Sequence, residues 1–368
     1  MRRLLLVILC VVSLGLQAQD SISAIQQPQK KSWLRRVVEG FTYIDTNYVE
    51  PQHYDWSVMV QGIYNYDYYR LSSVTENHQS ITFAPTPALK VGPYFGWRWA
   101  FFGYTFDLRH VDLSSNSKKF DFSFYSAQIG ADIYYRRTGS DYKIRNVNLG
   151  GNIDADALEN ASFDGINVGI TGVNVYYIFN HKRFSYPAAF NQSSCQKLSC
   201  GSWMVGLGYL RNSIEFDADR LQRLIDERLG RQDIRLDSAL MFNSVKYHDI
   251  NVSVGYGYNW VFARNWLLAG SLSLALAYKK TYSESSEEGS KRFNIRDFNI
   301  SNVNIDGVGR FGLVWNNTRW YAGLSAIVRA YNYKKERFAA NNIFGSLNIY
   351  AGYNFGAKKE YRKKKAKK

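Results

Sequence analysis

The sequence predicts an all-β fold, a closed antiparallel transmembrane β-barrel of about twelve strands with a short N-terminal lead-in and a helix in one long loop. Three observations predict it: an export signal at the N-terminus, no later apolar run of membrane-spanning length, and repeated segments that alternate between apolar and small polar residues. The export signal consists of a positive start at Arg2 and Arg3, an apolar run from Leu4 to Leu16, and a cleavage site at Ala18, Gln19 and Asp20. The run falls well short of the roughly 20 residues that cross hydrocarbon as a helix, so residues 1–19 read as a cleaved signal peptide. Cys10 lies inside this run after Leu9, which argues against a lipidation site. Residues 20–55 follow as a periplasmic lead-in.

The mature chain offers no second apolar stretch, so helical insertion is excluded and strands are left. Successive side chains of a strand point to opposite faces, and a membrane strand must present lipid on one side and lumen on the other. Trp266 to Tyr278 does this: Trp266, Leu268, Gly270, Leu272, Leu274, Leu276 and Tyr278 share one face, and Leu267, Ala269, Ser271, Ser273, Ala275 and Ala277 the other. Ile250 to Trp260 repeats the pattern, with Ile250, Val252, Val254, Tyr256, Tyr258 and Trp260 opposite Asn251, Ser253, Gly255, Gly257 and Asn259. Val58 to Tyr68, Tyr125 to Tyr135, Trp203 to Tyr209 and Leu347 to Phe355 show the same split. A soluble lipocalin-like barrel would invert inside and outside, which periodicity alone does not resolve. Segment length and aromatic ends favour the membrane version.

Strands are expected at 56–70, 79–92, 95–109, 119–136, 140–148, 163–180, 201–216, 242–261, 265–281, 296–314, 318–333 and 343–356. Outer-membrane barrels pair short periplasmic turns with longer external loops. Tight turns are expected at Gly92–Pro93, Thr138–Gly139–Ser140, Phe262–Ala263–Arg264 and Asn316–Asn317. One long loop carries a helix between Asp217 and Gly230, with Leu221, Leu224, Ile225 and Leu229 on one face, an aspartate cap and a glycine stop. The segment 181–201 breaks the rule, being long on the side where turns are short. It either folds into the lumen as a plug or binds a periplasmic partner, with an ordered turn extension as the plain alternative.

Composition fits without deciding. An aromatic share of 16% suits strands that meet two membrane interfaces, yet soluble sandwiches can be aromatic too. The net charge of +15 is unevenly placed: residues 357–368 hold eight Lys/Arg against one Glu, hence +7. No basic recognition helix or aromatic-basic stripe accompanies it, so nucleic acid is not an expected partner. The tail is expected to be a solvated, disordered extension, with attraction to anionic lipid or a periplasmic or cell-wall polymer as the alternative.

At 176–202 the sequence becomes recognisable. Tyr176, Tyr177, Ile178, Phe179, Asn180 and His181 lead into Phe184, Ser185, Tyr186, Pro187, Ala188, Ala189 and Phe190. Gln196, Ser199, Gly201 and Ser202 follow. With Tyr43 to Asp45, Tyr48 to Pro51, and Gly255 to Tyr258, this resembles the family called domain of unknown function 4421, predicted outer-membrane barrels of Bacteroides-type, Gram-negative bacteria. The resemblance spans roughly residues 40–356 and implies bacterial outer-membrane localisation, membrane lipid as the surrounding partner, and no cofactor. Barrels generally are assembled by machinery that reads the last strand, here ending in Tyr353 and Phe355. Cys195 and Cys200 depart from the family pattern. In an oxidising compartment they are expected to form a local disulfide, with a free thiol pair as the alternative.

Catalysis has little to stand on. His53, His78, His110, His181 and His248 are dispersed, and no His, Cys or acid spacing implies a metal or a triad. Gly307 to Gly312 matches a dinucleotide-binding pattern, but strand rather than helix is expected after it. The lumen is where selectivity would be set. Candidate lumen residues are Asn65, Asp67, Gln128, Asp132, Asn251, Asn259, Arg329, Asn348 and Asn354. The expected role is a non-enzymatic, porin-like channel or ligand-binding barrel. A scaffolding barrel holding a periplasmic partner, or a lipid-modifying enzyme, are the alternatives.

Overall fold

The computed structural model describes residues 44–365, apart from 77, 98–99, 104–105, 108–117, 138–141, 152, 231–232, 283–298 and 336. The expected signal peptide, most of the lead-in, His110 and residues 366–368 lie outside the described residues. The chain forms β1 (Val49–Pro51), β2 (Tyr54–Ser73), β3 (Ser80–Pro85), β4 (Ala88–Trp97), β5 (Ala100–Gly103), β6 (Phe106–Asp107), β7 (Lys118–Tyr125), β8 (Ile129–Arg137), β9 (Tyr142–Asn148) and β10 (Ile166–Ile178). Next come α1 (Tyr186–Phe190), β11 (Ser194–Gln196), β12 (Cys200–Phe216), α2 (Ala218–Leu229), β13 (Ser244–Ala263), β14 (Trp266–Tyr282), β15 (Val303–Asn316), β16 (Trp320–Lys335), β17 (Phe338–Ala357) and α3 (Lys359–Lys365).

All but β1 and β11 belong to one sheet of fifteen strands, antiparallel at every pairing. Twelve of them follow one path, β5-β4-β2-β17-β16-β15-β14-β13-β12-β10-β8-β7, with β3, β6 and β9 attached to its side. The first long strand, β2, pairs with the last, β17, from Tyr54↔Ala357 to Ser73↔Phe338. The sheet is rolled. Asp67 on β2 and Arg136 on β8 form an ion pair, although the path separates them by eight strand steps, nearly 40 Å if flat at about 4.8 Å per step. The two ends of the path, β5 and β7, are neighbours in sequence. No pairing joins them among the described residues, and 108–117 lie between.

Rolling assigns the faces. On β14, Leu272, Leu274 and Leu276 are 55–62% exposed, whereas Ala269 and Ala277 are at most 2% exposed. On β13, Val252, Val254, Tyr256 and Tyr258 face out and Asn251 and Asn259 are buried. Trp56, Trp97, Trp203, Trp260, Trp266 and Trp320 all stand exposed at the same end of their strands. This is the end with tight turns, called the turn end below. Among the described residues no helix is long and apolar enough to cross a membrane.

The sequence reading departs from this structure in four places. Gly92–Pro93 is no turn: β4 runs through it, with Pro93 opposite Val60, and the chain reverses after Trp97. Pairing along the whole of β4 overrides a local turn signal. The expected strand 119–136 is a hairpin of β7 and β8, whose turn lacks Gly, Pro and Asn. Ser126 closes it instead, its Oγ accepting the Ile129 N–H at 2.9 Å. The reversal brings β8 to Arg137 at the opposite end, and the tight turn expected at Thr138–Gly139–Ser140 lies outside the described residues. Third, β9 is a strand but pairs with β3, off the twelve-strand path. Finally, the basic tail, expected to be disordered, forms helix α3. Tyr361 stacks on His53 at 4.0 Å and the Lys358 N–H donates to the His53 carbonyl, so one aromatic ring anchors an otherwise charged segment.

Opposite the turn end lies an apolar cap. Helix α2 matches its expectation: the Asp217 side chain accepts the Arg220 N–H at 2.8 Å, and Gly230 stops the helix at φ +62°. Leu221 and Ile225 point into a cluster with Phe83, Phe163 and Phe216 that continues down to Tyr134, Tyr331 and Phe344. The Asp237 carboxylate accepts from the Thr75 hydroxyl and the Ala239 N–H, which hold its pKa below the usual 3.8. A depressed carboxylate adds stability above pH 3.8 that is lost as the pH falls through its lower folded value. Acidification to pH 3 should therefore loosen the cap, read as new protease cuts near 231–243. Asp237→Asn, lacking the charge, should show much the same cutting at pH 3 and pH 7.

Candidate functional site

Between the caps of the rolled sheet the inner wall carries three buried groups of charge. Arg136 pairs with Asp67 and lies 4.4 Å from the centre of the Phe344 ring. Asp132 binds Arg310 and receives the Ser123 hydroxyl at 2.6 Å, with Arg329 at 4.0 Å. The Lys279 ammonium sits between Asp306 at 2.8 Å and Asp249 at 3.4 Å and donates to the Asn332 carbonyl. These four cations and four carboxylates are all buried. Charges out of water persist only when paired and hydrogen-bonded, so each group demands the others.

The segment 181–199 enters the lumen from the turn end. Ser185 caps α1 by accepting the Ala188 N–H, and Pro187 sits in its first turn, where a missing donor costs nothing. Phe184 and Tyr186 pack with Tyr176, Ile178 and Met204, while Ala188 and Ala189 pack on Leu267, Ala269 and Val314. Tyr186 reaches the deepest partners: its hydroxyl lies 2.7 Å from Ser271 Oγ and 3.4 Å from Arg310 Nη1. Asn259 donates to the Ser185 carbonyl at 2.8 Å and to Gln196 Oε1 at 3.1 Å. Gln192 donates to Tyr350 on the far wall at 2.7 Å. The segment is thus fixed to β13, β14, β15 and β17, and it fills the turn end.

From below, the lead-in holds it. Strand β1 pairs with β11, Glu50 opposite Cys195, in a two-stranded sheet of its own. The Asp45 N–H donates to the Lys182 carbonyl and the Lys197 N–H to the Tyr48 carbonyl, both at 2.7 Å.

The expected lumen residues Asp67, Gln128, Asp132, Asn251, Asn259, Arg329 and Asn354 are all buried, and Asn65 and Asn348 half-buried. They do not form one site: Gln128 donates to the Tyr177 hydroxyl and Asn354 to the Thr318 carbonyl, both near the turn end. In the recognised loop, Phe184, Ser185, Tyr186, Ala188, Ala189 and Gln196 are buried plug residues. Phe190 is half-buried against Tyr186 and Tyr125. Phe179 is exposed on the outer wall. Asn180 bridges to Ser202 and Gly201, and the exposed Ser199 accepts the Val261 N–H. Sequence reasoning missed Arg136, Asp249, Lys279, Asp306 and Arg310. Their inward parity on the strands was the available signal, and Arg310 was hidden inside the glycine pattern 307–312, which is simply β15.

The disulfide expected between Cys195 and Cys200 is absent: both thiols are free. The two side chains serve different neighbours. Cys195 Sγ lies 3.7 Å from the Asn316 carbonyl oxygen, and Cys200 Sγ accepts from Asn180 Nδ2 at 3.1 Å. Burial pushes the Cys195 pKa up to about 12. Among the described residues no group of His, Cys, Asp and Glu could hold a metal ion.

A rolled antiparallel sheet with an apolar outer face, an ion-paired interior and an inward-folded segment at one end defines a class of plugged, barrel-like β proteins. The chain belongs to the family described as Domain of unknown function (DUF4421), whose pattern matches residues 43–355. No curated protein matches it. Among solved structures it is similar to the outer-membrane protease OmpT from Escherichia coli, at 7% identity and a TM-score of 0.32, covering 82% of this chain and 97% of that one. The β domain of the Bordetella autotransporter BrkA gives 11% identity and 0.28, covering 80% and 99%. The toluene transporter TodX of P. putida gives 7% and 0.25, covering 83% and 91%.

Proposed function

We propose that this protein is a non-enzymatic outer-membrane barrel that is closed at rest and binds a ligand from the periplasmic side, with 181–199 as the movable part. Closure of the sheet between β5 or β6 and β7 belongs to this reading, supported by the ion pair of Asp67 with Arg136 across the rolled wall. The outward leucines and valines and the ring of exposed tryptophans support a wall that meets lipid. The carrying observation is the contrast between the two ends. The cap contributes to a continuous apolar cluster of twenty-nine buried residues. The plug rests on two clusters of five, supplemented by hydrogen bonds to Ser271, Arg310, Asn259 and Tyr350. Apolar area holds in proportion to its extent, so the plug is the end that yields first. Its withdrawal would leave a blind chamber with Asp132, Arg310 and Arg329 at its base.

Planar bilayers test this. The intact protein should be silent, and replacing 183–197 with a short Gly-Ser linker should leave it silent while a small charged maleimide now reaches a cysteine placed at Ser271. Stable conductance from the shortened protein would overturn the blind chamber and favour a through-channel. The docking of α3 on the rim through His53 and Tyr361 favours a second reading, a basic platform for a periplasmic or cell-wall partner. Cross-linking from α3 tests it, and unchanged partners after deleting 358–368 would end it.

A further inference from the structure

We propose that the outer wall carries a site for one phospholipid with an anionic headgroup, set in a groove at the turn end and capped by Arg319. This rests on the membrane-barrel reading. The groove is a depression of about 880 Å³, within the ~300–1,000 Å³ usual for small-molecule sites, and its lining is almost wholly apolar. Its shape follows from strand register. One cross-strand row of outward residues, one step in from the Phe355, Trp56, Trp97 row at the turn end, reads Trp320, Tyr353, Val58, Phe95. The next row inward reads Trp315, Ala322, Ala351, Val60, Pro93. Two adjacent alanines between a tryptophan and a valine make the floor. Val58, small between the Tyr353 and Phe95 rings, widens the slot on the wall side of the Phe355, Trp56, Trp97 row.

The rim supplies the charge. Arg319 stands exposed in the turn between β15 and β16, and its Nη2 and Nε donate to the Tyr353 hydroxyl at 2.6 and 3.0 Å. Its guanidinium carbon lies 5.3 Å from the centre of that ring. Tyr353 is itself a wall of the groove, so a fixed cation sits at the mouth of an apolar slot. An acyl chain fits the slot and a phosphate fits the guanidinium, which leaves donors free for it after serving one phenol oxygen. That pairing of chain and anion selects a phospholipid over a second protein copy, which would bring the same cation against itself if it docked through this face symmetrically.

The test is native mass spectrometry of the full chain, released from vesicles of phosphatidylglycerol or of phosphatidylcholine with the same acyl chains. The wild type should retain one phosphatidylglycerol at about fivefold lower lipid concentration than phosphatidylcholine, the preference of one basic side chain near a membrane surface. Arg319→Gln should abolish the preference while keeping weak binding of both. Ala351→Trp, which fills the floor from the lipid side, should remove both, with unchanged heat-dependent gel mobility reporting an intact fold. Equal retention of the two lipids by the wild type, or full retention by Ala351→Trp, would overturn the site. So would a dimer that Ala351→Trp converts to monomer, because a second copy would then occupy the groove. If the wild type cannot be incorporated into either vesicle, the membrane reading itself falls and the lipid site with it.

Discussion

Lys279→Met should lower the stability of the fold by about 3–5 kcal/mol, the cost of leaving buried charge without its partner. The ammonium is the common partner of Asp249 and Asp306, and all three side chains are at most 1% exposed. Methionine matches the length of lysine, so packing changes little and two carboxylates face each other in an apolar surround. The urea midpoint of the folded, heat-modifiable form should fall accordingly. Lys279→Met combined with Asp249→Asn and Asp306→Asn should recover most of the loss, because neutral amides remove the uncompensated charge. A triple variant no better than the single one would mean that the lysine acts through packing alone.

Gly312→Leu should expel the plug. A Cβ at Gly312 would stand 3.1 Å from the Ala189 carbonyl oxygen, so a leucine there has no room while α1 is seated. The readout is Cys195. The thiolate is the reactive form, and a thiol whose pKa burial has raised to about 12 is almost wholly protonated at pH 8. Returned to water, with a pKa near 8.5, it should react with maleimide on the order of a thousandfold faster. Gly309→Leu is the control, since nothing lies within 4 Å of its added Cβ, and it should label as slowly as the wild type. Fast labelling of the wild type would mean that the plug is out at rest.

The long strands from β10 onward were legible because they alternate between apolar and small polar residues over many positions. Ile250 to Trp260 and Trp266 to Tyr278 fall on the faces their sequences assign. Before β10 the expected strands 56–70 and 140–148 are β2 and β9, but the stretch between them was misread, for reasons that differ by residue. Ser126 closes a turn with its own hydroxyl, a device that leaves no Gly or Pro for a reader to find. Pro93 mimics a turn inside a paired strand. The plug was legible as an anomaly of length and motif, but its destination was not, because Tyr186 meets Ser271 and Arg310 only after the sheet has rolled. The ion pairs were hidden for the same reason: Asp67 and Arg136 are 69 residues apart and become neighbours across the lumen.

The small sheet of β1 and β11 has a mechanical meaning. The chain before β2 runs through Asp45, Tyr48 and β1, all bonded to the plug segment, before it reaches the wall. A pull on that leader is therefore borne first by the plug, along hydrogen bonds that can part and re-form without breaking any pairing of the wall. The leader is a drawstring on the mouth of the rolled sheet.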